Sequence, residues 1–440
     1  MFGYYLIQAL HSLRRSPVLT LLMVLAIGVG IGASMTTLTV FRAMAADPIA
    51  DRSAQLFVPQ IDSWGPDKKL FNPLSHPDHL NDQLSYIDAM ALMRAHAAKR
   101  QTALYKMSLA ARPLDAHLLP FRVGGRAAYA DFFQMFGVPF RYGGAWSASD
   151  DERHASVAVI SRALNDKLFG GADSVGKVLR LDDREIRIVG VIDQWNLEPR
   201  VYDLLDKFGG WADDVFLPFT TAVDLHKEPN ENTSCADVAQ PGWSGLLQSD
   251  CVWAEFWVQL PTSAAAARYR TFLTDYASQQ QRIGRFHWAP HVQLRNLRQW
   301  LVYQKVVSDE ARILVWVSFS FLFICLLNAM GLMLARISRQ AADISVRRAL
   351  GANRPAVFLQ GLIEAGLIGA LGALLGMVLT VLGLAALRSL LSGDIRPLAH
   401  LDTADAAITI AVALVATLLA GLYPTWRAAA LQPAVLLKVH

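Results

Sequence analysis

Residues Gly171–Lys177 read "GADSVGK" and satisfy most of a phosphate-binding loop, in which glycines let backbone N–H groups cradle phosphate and a Ser or Thr after the lysine reaches Mg²⁺. Val178 stands where that hydroxyl belongs, and a strand pattern follows where a helix should begin, so the segment reads as a turn between a helix and a strand. Two histidine pairs, His76 and His79 in "HPDH" and His287 and His291 in "HWAPH", have loose metal-ligand spacing. Pro77 and Pro290 interrupt them and no convincing further ligand stands nearby, so no metal site is expected. There is no HExxH, no GxSxG and no convincing pair of carboxylates, so no catalytic residue is assigned and the chain is expected not to be an enzyme.

The chemistry that is present is electrostatic. Asp343–Arg354, "DISVRRALGANR", places three arginines between two long apolar runs. Asp343 can cap a helix of about two turns over Ile344–Leu350, with Arg347, Arg348, Ala349 and Leu350 on it, and Gly351 suits its end. Asn353 or Arg354 then begins a new helix with Pro355 in its first turn, so a short basic rod is joined rigidly to the next apolar segment. Anchoring of arginines to lipid phosphate explains the charge but needs neither the cap nor the glycine stop. Glu364 lies about two turns inside that next segment. A carboxylate there is costly unless paired, and the reading is a structural one, hydrogen-bonded to a neighbouring helix.

These residues need a membrane to be positioned against. The chain has 440 residues, 53% hydrophobic and 18% charged, below the roughly 25% charged of soluble domains. The net charge of +4 is too small to indicate nucleic-acid binding. Four runs reach the roughly 20 residues that cross a bilayer: Val18–Phe41, Ile313–Ala335, Ala356–Leu387 and Ala406–Trp426. Arg14 and Arg15 precede the first, and Arg336, Arg339, Arg347, Arg348 and Arg354 separate the second from the third. By the positive-inside rule both termini and that connection are cytoplasmic. The resulting plan is an amphipathic helix at 1–16, spans at 17–45, 313–336, 356–388 and 405–427, an outer domain at 46–312, a cytoplasmic connection at 337–355, an outer loop at 389–404 and a tail at 428–440. A cleaved signal ending at "AMA", Ala43–Ala45, is disfavoured because the apolar run exceeds the 7–15 residues of a signal core. Gly28, Gly30 and Gly32 are too isolated from any strand to be a dinucleotide fingerprint; Gly28 and Gly32 are assigned to close helix packing.

The outer segment reads as mixed α/β. Ser156–Gly170 is a strand followed by a helix, and Lys177–Ile192 is two strands around an Asp182-Asp183 turn. Asp214–Leu225 is a strand leading into a helix capped by Thr220 or Thr221, Ala254–Leu260 a strand, and Ser263–Gln281 a helix capped by Ser263. Asp62–His79 and Glu228–Asp250 read as loops. Cys235 and Cys251, outside the membrane, are expected to form a structural disulfide, and Cys325 to serve as a small apolar residue.

With these residues in place, the chain resembles the permeases of the MacB/FtsX superfamily, the type VII ABC transporters. The likeness lies in "NAMGLMLARISRQAADISVRRALGANRPAVFLQGLIEAGLIGALGALLG" (Asn328–Gly376), "YPTWRAAALQPAVLLK" (Tyr423–Lys438), "VAVISRALNDKLFGGADSVGKVLRL" and "VFLPFTTA". The resemblance implies an α-helical membrane protein with four transmembrane helices and a large mixed α/β periplasmic domain, a porter-like part with an inserted β-rich part, in the bacterial inner membrane. It implies that Asp343, Ile344, Arg347, Arg348, Ala349, Leu350, Gly351 and Ala352 couple to a separate cytoplasmic ATPase dimer, which binds ATP and Mg²⁺ while this chain binds no cofactor. Further implied partners are a second permease chain, identical or paralogous, a periplasmic adaptor and an outer-membrane duct. The family often begins its coupling element Arg-Glu-Ile-Gly, whereas this chain has Ala342-Asp343-Ile344-Ser345, which bears on which ATPase it fits. The expected function is mechanotransmission that drives export of a periplasmic substrate. Alternatives within the resemblance are lipoprotein extraction and FtsX-like regulation of a cell-wall hydrolase; the large outer domain favours export over the latter.

Overall fold

The computed structural model describes residues 2–430 except 48, 66–79, 113–118, 196, 198, 205–212, 231–232, 342–345, 347–352 and 391–402. The chain opens with α1 (Phe2–Arg15) and α2 (Pro17–Ala45). Then come β1 (Leu56–Ile61), β2 (Leu84–Ser85), α3 (Tyr86–Ala95), β3 (Arg100–Arg112), β4 (Phe121–Ala128), α4 (Asp131–Met135), β5 (Phe140–Gly143) and α5 (Ala148–Glu152). They are followed by β6 (Val157–Ile160), α6 (Arg162–Phe169), β7 (Val178–Leu181), β8 (Arg184–Ile192), β9 (Asp213–Pro218), α7 (Phe219–Asp224) and α8 (Trp243–Gln248). The domain ends with β10 (Val252–Gln259), α9 (Ser263–Arg282), β11 (Val292–Asn296) and α10 (Leu297–Tyr303), and the chain continues with α11 (Asp309–Arg339), α12 (Arg354–Leu390) and α13 (Thr403–Ala430).

Two units result. One joins Met1–Ala46 to Val307–His440 and the other is Asp47–Val306. In the helical unit, α2, α11, α12 and α13 each contain a segment long and apolar enough to cross a bilayer. Ser308 caps α11 by accepting the Ala311 N–H at 3.2 Å, with Asp309 and Glu310 in the first turn and Arg336 and Arg339 in the last, charges that suit the helix dipole. At 37 residues α12 is about 55 Å long, well beyond the roughly 30 Å hydrocarbon core, so it projects from the membrane. It packs against both α2 and α13.

In the second unit the strands form one sheet in the order β11-β1-β10-β3-β4-β9-β6-β8-β5, with β2 beside β10 and β7 beside β3 and β8. Pairing is antiparallel except for β4 with β9 and β6 with β8. Both faces are covered. Ala103, Tyr105, Val215, Leu217 and Val258 belong to one core, and Leu104, Phe216 and Trp257, their neighbours on the same strands, to the other. Alternate side chains point to opposite faces, so a strand buried on both sides is apolar throughout, as "VAVI" of β6 is.

The Asp182-Asp183 turn joins β7 to β8 with Leu181 opposite Arg184, and Asp182 adopts φ +52°. Some local expectations are corrected. Thr262, not Ser263, caps α9, accepting the Ala265 N–H at 3.1 Å. Thr220 and Thr221 do not cap α7. They lie inside it and donate to the carbonyls of Asp151 and Ala155, tying the helix to its neighbour. The stretch Glu228–Asp250 is not all loop, because "WSGLLQ" folds as α8. Of the expected loop Asp62–His79, residues 66–79 lie outside the described residues.

Candidate functional site

Asp343, Ile344, Arg347, Arg348, Ala349, Leu350, Gly351 and Ala352, assigned above to ATPase coupling, lie outside the described residues. Their flanks are described. On one side α11 ends in Arg336 and Arg339; on the other Asn353 accepts the Ala356 N–H at 3.1 Å at the head of α12.

One turn short of the end of α11, Arg336 turns inward. Its side chain is 3% exposed and lies 3.5 Å from the Glu364 carboxylate of α12, itself 11% exposed. Gln360, one turn earlier on α12, donates to Glu364 at 3.4 Å. Ser12 of α1 accepts from Arg336 at 2.8 Å and from Gln340 at 3.3 Å, which fastens the N-terminal helix to α11. A cavity of about 180 Å³ opens here, lined by His11, Ser12, Arg15, Arg336, Gln340 and Glu364 among others. By sequence Arg336 counts among the basic residues of the cytoplasmic connection between the second and third spans; in the fold it is buried against Glu364. A partner for Glu364 on another helix was expected; which residue it is depends on packing.

Gly28 and Gly32 of α2 face α12. A Cβ on Gly28 would come within 2.7 Å of the Leu375 side chain, and one on Gly32 within 2.7 Å of the Leu379 Cβ. Backbone approach this close is what small residues permit in a bundle. Cys325 of α11 is buried and unbonded, against Gly30.

In the second unit Cys235 and Cys251 are joined by a disulfide with Cα atoms 4.1 Å apart, closing a separation of 16 residues. Nearby, Arg285 bridges Asp88, which is fully buried, at 2.6 Å and Asp250 at 2.8 Å. Burial works against the Arg285 charge, but hydrogen bonding and attraction to Asp88 and Asp250 outweigh it and raise its pKa. A second cluster surrounds Arg126 of β4, whose side chain is fully buried. It meets Asp203, Asp213 at 2.8 Å and Glu255 at 3.3 Å, while Lys106 of β3 lies 3.6 Å from Asp203. Tyr202 donates to Asp213 at 3.2 Å and sits beneath the Arg126 guanidinium. No sequence signal marked Arg126, whose acidic partners stand 77, 87 and 129 residues away. Asp151 is also buried, accepting from Ala130 N–H at 2.8 Å and Trp146 Nε1 at 2.9 Å. Burial outweighs those bonds and pushes its carboxyl up to about 7.

The glycines of "GADSVGK" form a turn. Gly171 and Gly176 have positive φ, Gly176 N–H bonds to Ile188 O, and Val178 starts a strand, so no helix N-terminus is offered to a phosphate. Among the described residues no three of His, Cys, Asp and Glu converge as a metal site; His76 and His79 lie outside them.

Four membrane-length helices with an arginine-rich end, and a large mixed α/β domain between the first two, define a multi-span membrane protein of the permease type. Residues 20–273 match the MacB-like periplasmic core domain, and residues 315–433 match the FtsX-like permease C-terminal region. The chain belongs to the MacB/FtsX-like family of ABC transporter permeases. It is 25% identical over 67% of its length to a Marinobacter nauticus protein named "Macrolide export ATP-binding/permease protein MacB", of which it covers 40%. To a Pasteurella multocida protein of the same name it is 23% identical over 98% of its length, covering 60% of that relative. It is 22% identical over 69% of its length to a Bacillus subtilis protein named "Uncharacterized ABC transporter permease YvrN", covering 67% of it. The chain thus spans 40% of the length of the first of these relatives. The periplasmic region of MacB from Actinobacillus actinomycetemcomitans aligns over 60% of this chain and 98% of that one, at 12% identity and a TM-score of 0.38.

Proposed function

We propose that this chain is the membrane subunit of an ATP-driven complex of the bacterial inner membrane. It would convert ATP hydrolysis by a cytoplasmic ABC ATPase into movement of its periplasmic domain and thereby drive export of a periplasmic substrate. The observation that carries the reading is the presence on one chain of both family regions, the periplasmic core domain at 20–273 and the FtsX-like permease region at 315–433. The names of the MacB relatives pair an ATP-binding part with a permease part, and the chain aligns with 40% of the Marinobacter protein. An ATPase supplied by a partner, holding ATP and Mg²⁺, fits that correspondence.

In this mechanism the ATPase closes on nucleotide and pushes the basic segment that contains Arg347, Arg348 and Leu350. Because α12 starts at Arg354, a push on that segment is delivered straight to a stiff helix. The close contacts of Gly28 and Gly32 with α12, and the Arg336–Glu364 pair between α11 and α12, would pass the displacement to the other spans. The arginines at this end of the bundle, Arg15, Arg336, Arg339 and Arg354, favour its cytoplasmic placement. A second permease chain, an adaptor and an outer-membrane duct complete the proposed assembly.

The test is co-purification from native membranes with subunit identification. An ABC ATPase should accompany the wild-type chain, and Arg347→Asp or Leu350→Asp should remove it and the associated ATP hydrolysis. Retention of the ATPase by both variants refutes the docking role, and its absence from the wild-type complex refutes the mechanism.

A further inference from the structure

A cleft of about 680 Å³ opens in the Asp47–Val306 unit between three walls, drawn from residues 63–65, 236–251 and 285–288. Small-molecule sites occupy roughly 300–1,000 Å³, so the cleft is of that size. Its walls are tied to one another. The Cys235–Cys251 disulfide closes the middle wall into a loop, and Trp64 Nε1 donates to the Asp250 carbonyl at 2.7 Å, fastening the first wall to it. On the third wall Arg285 donates to the Asp250 carboxylate at 2.8 Å, and Trp288 Nε1 donates to the carbonyl of Asp62 at 3.0 Å.

The charges of the cleft disfavour an anion. Among the described residues Arg285 is the only lysine or arginine on the lining. All three nitrogens of its guanidinium already donate, Nε to Asp250, Nη1 to Asp88 and Nη2 to both. Two carboxylates thus share one guanidinium and leave the group net negative. Asp237 puts a further carboxylate on the lining, and His287 an imidazole. Arg285 reaches Asp250 through Oδ1; no hydrogen bond among the described residues reaches Oδ2, and the side chain is 47% exposed. Ser63, also on the lining, is 5% exposed and its hydroxyl has no partner among the described residues. A carboxylate oxygen only accepts, so what it lacks is a donor, and a negative surrounding favours a positively charged one. A primary ammonium offers three N–H donors on a compact charge. Trp64 and Trp288 supply indoles, the rings that attract cations best, and apolar surface for a carbon skeleton.

We propose that this cleft binds a small organic molecule through a primary ammonium group, held by Asp250 on the acidic side of the lining with its carbon skeleton against Trp64 and Trp288. This inference does not rest on the ATPase or export reading, since binding is measured on the permease chain alone.

The experiment is ligand-observed NMR on the full chain in phosphatidylcholine nanodiscs, with empty nanodiscs subtracted, using four probes that share one carbon chain: hexylamine, hexyltrimethylammonium, hexanol and hexanoate. Hexylamine should bind about fivefold more tightly than hexyltrimethylammonium or hexanol, the factor given by one partly exposed ion pair, and hexanoate should not saturate. Gln248→Lys, at an exposed position on the lining, adds a competing ammonium and should weaken hexylamine about fivefold, as should Asp250→Asn. Hexyltrimethylammonium binding as tightly as hexylamine overturns the need for N–H donors, and hexanol binding as tightly overturns the need for charge. Saturable binding of hexanoate overturns the sign of the cleft. Hexylamine binding that Gln248→Lys leaves unchanged overturns the site, and so does a lack of saturable binding by all four probes. Because Asp250 also holds Arg285, an Asp250→Asn chain that fails to fold leaves Gln248→Lys to decide.

Discussion

Replacing Arg126 with Met should unfold the periplasmic core domain far more readily than any surface change. The guanidinium is fully buried and spans Asp203, Asp213 and Glu255, drawn from the β9 end, β10 and the segment before residue 205. Methionine roughly fills its volume but removes the fork that meets all three carboxylates, leaving Lys106, 3.6 Å from Asp203, and the charge of Arg200, which acts on Asp203 and Asp213, to compensate them in part. Removing one partner of a buried charged network costs about 3–5 kcal/mol. For a domain of this size each kcal/mol lowers Tm by about 2–4 °C, so the expected fall is about 6–20 °C. Arg126→Lys keeps the charge but lacks the planar fork that reaches three carboxylates, so its loss should be intermediate. The assay is thermal or urea unfolding followed by tryptophan fluorescence, since Trp253 and Trp257 are fully buried in this domain and report its melting. A fall below about 1 kcal/mol for Arg126→Met would refute the reasoning, because it would mean that water solvates the carboxylates and the network is not a buried one.

Three other outcomes follow from particular contacts. The carboxyl of Asp151 is pushed up to about 7 from its ordinary 3.8, so its contribution to stability is present below 3.8 and is lost as pH rises through about 7; unfolding measured from pH 4 to 8 should show a downward slope that Asp151→Asn flattens. Reducing Cys235–Cys251, or replacing both with Ser, should lower the stability of the domain by about 3 kcal/mol for a loop of this size, read as a lower melting temperature with reductant than without. Gly32→Leu should disrupt α2–α12 packing, since even a Cβ there approaches Leu379 to 2.7 Å, and should destabilise the bundle by about 1–3 kcal/mol in denaturation from detergent micelles.

What the sequence determined by itself is whatever depends on local composition and period. Apolar runs of bilayer length announce spans because hydrocarbon requires an unbroken apolar surface and a fully hydrogen-bonded helix. The same holds for the Asp182-Asp183 hairpin, the all-apolar β6 and the family motifs, each a pattern held within a few neighbouring residues. Caps were legible only to within a residue, as Thr262 in place of Ser263 shows, because several adjacent hydroxyls offer the same chemistry and backbone geometry selects one. The tertiary structure alone decided which charges are buried together. Glu364 announces by its place in an apolar run that it needs a partner, but nothing along the chain names Arg336, 28 positions away, as that partner; Arg126 sits in an unremarkable "VGGRAA", its carboxylates on distant segments. Desolvation depends on what surrounds a group in three dimensions, and no window along the chain contains that information.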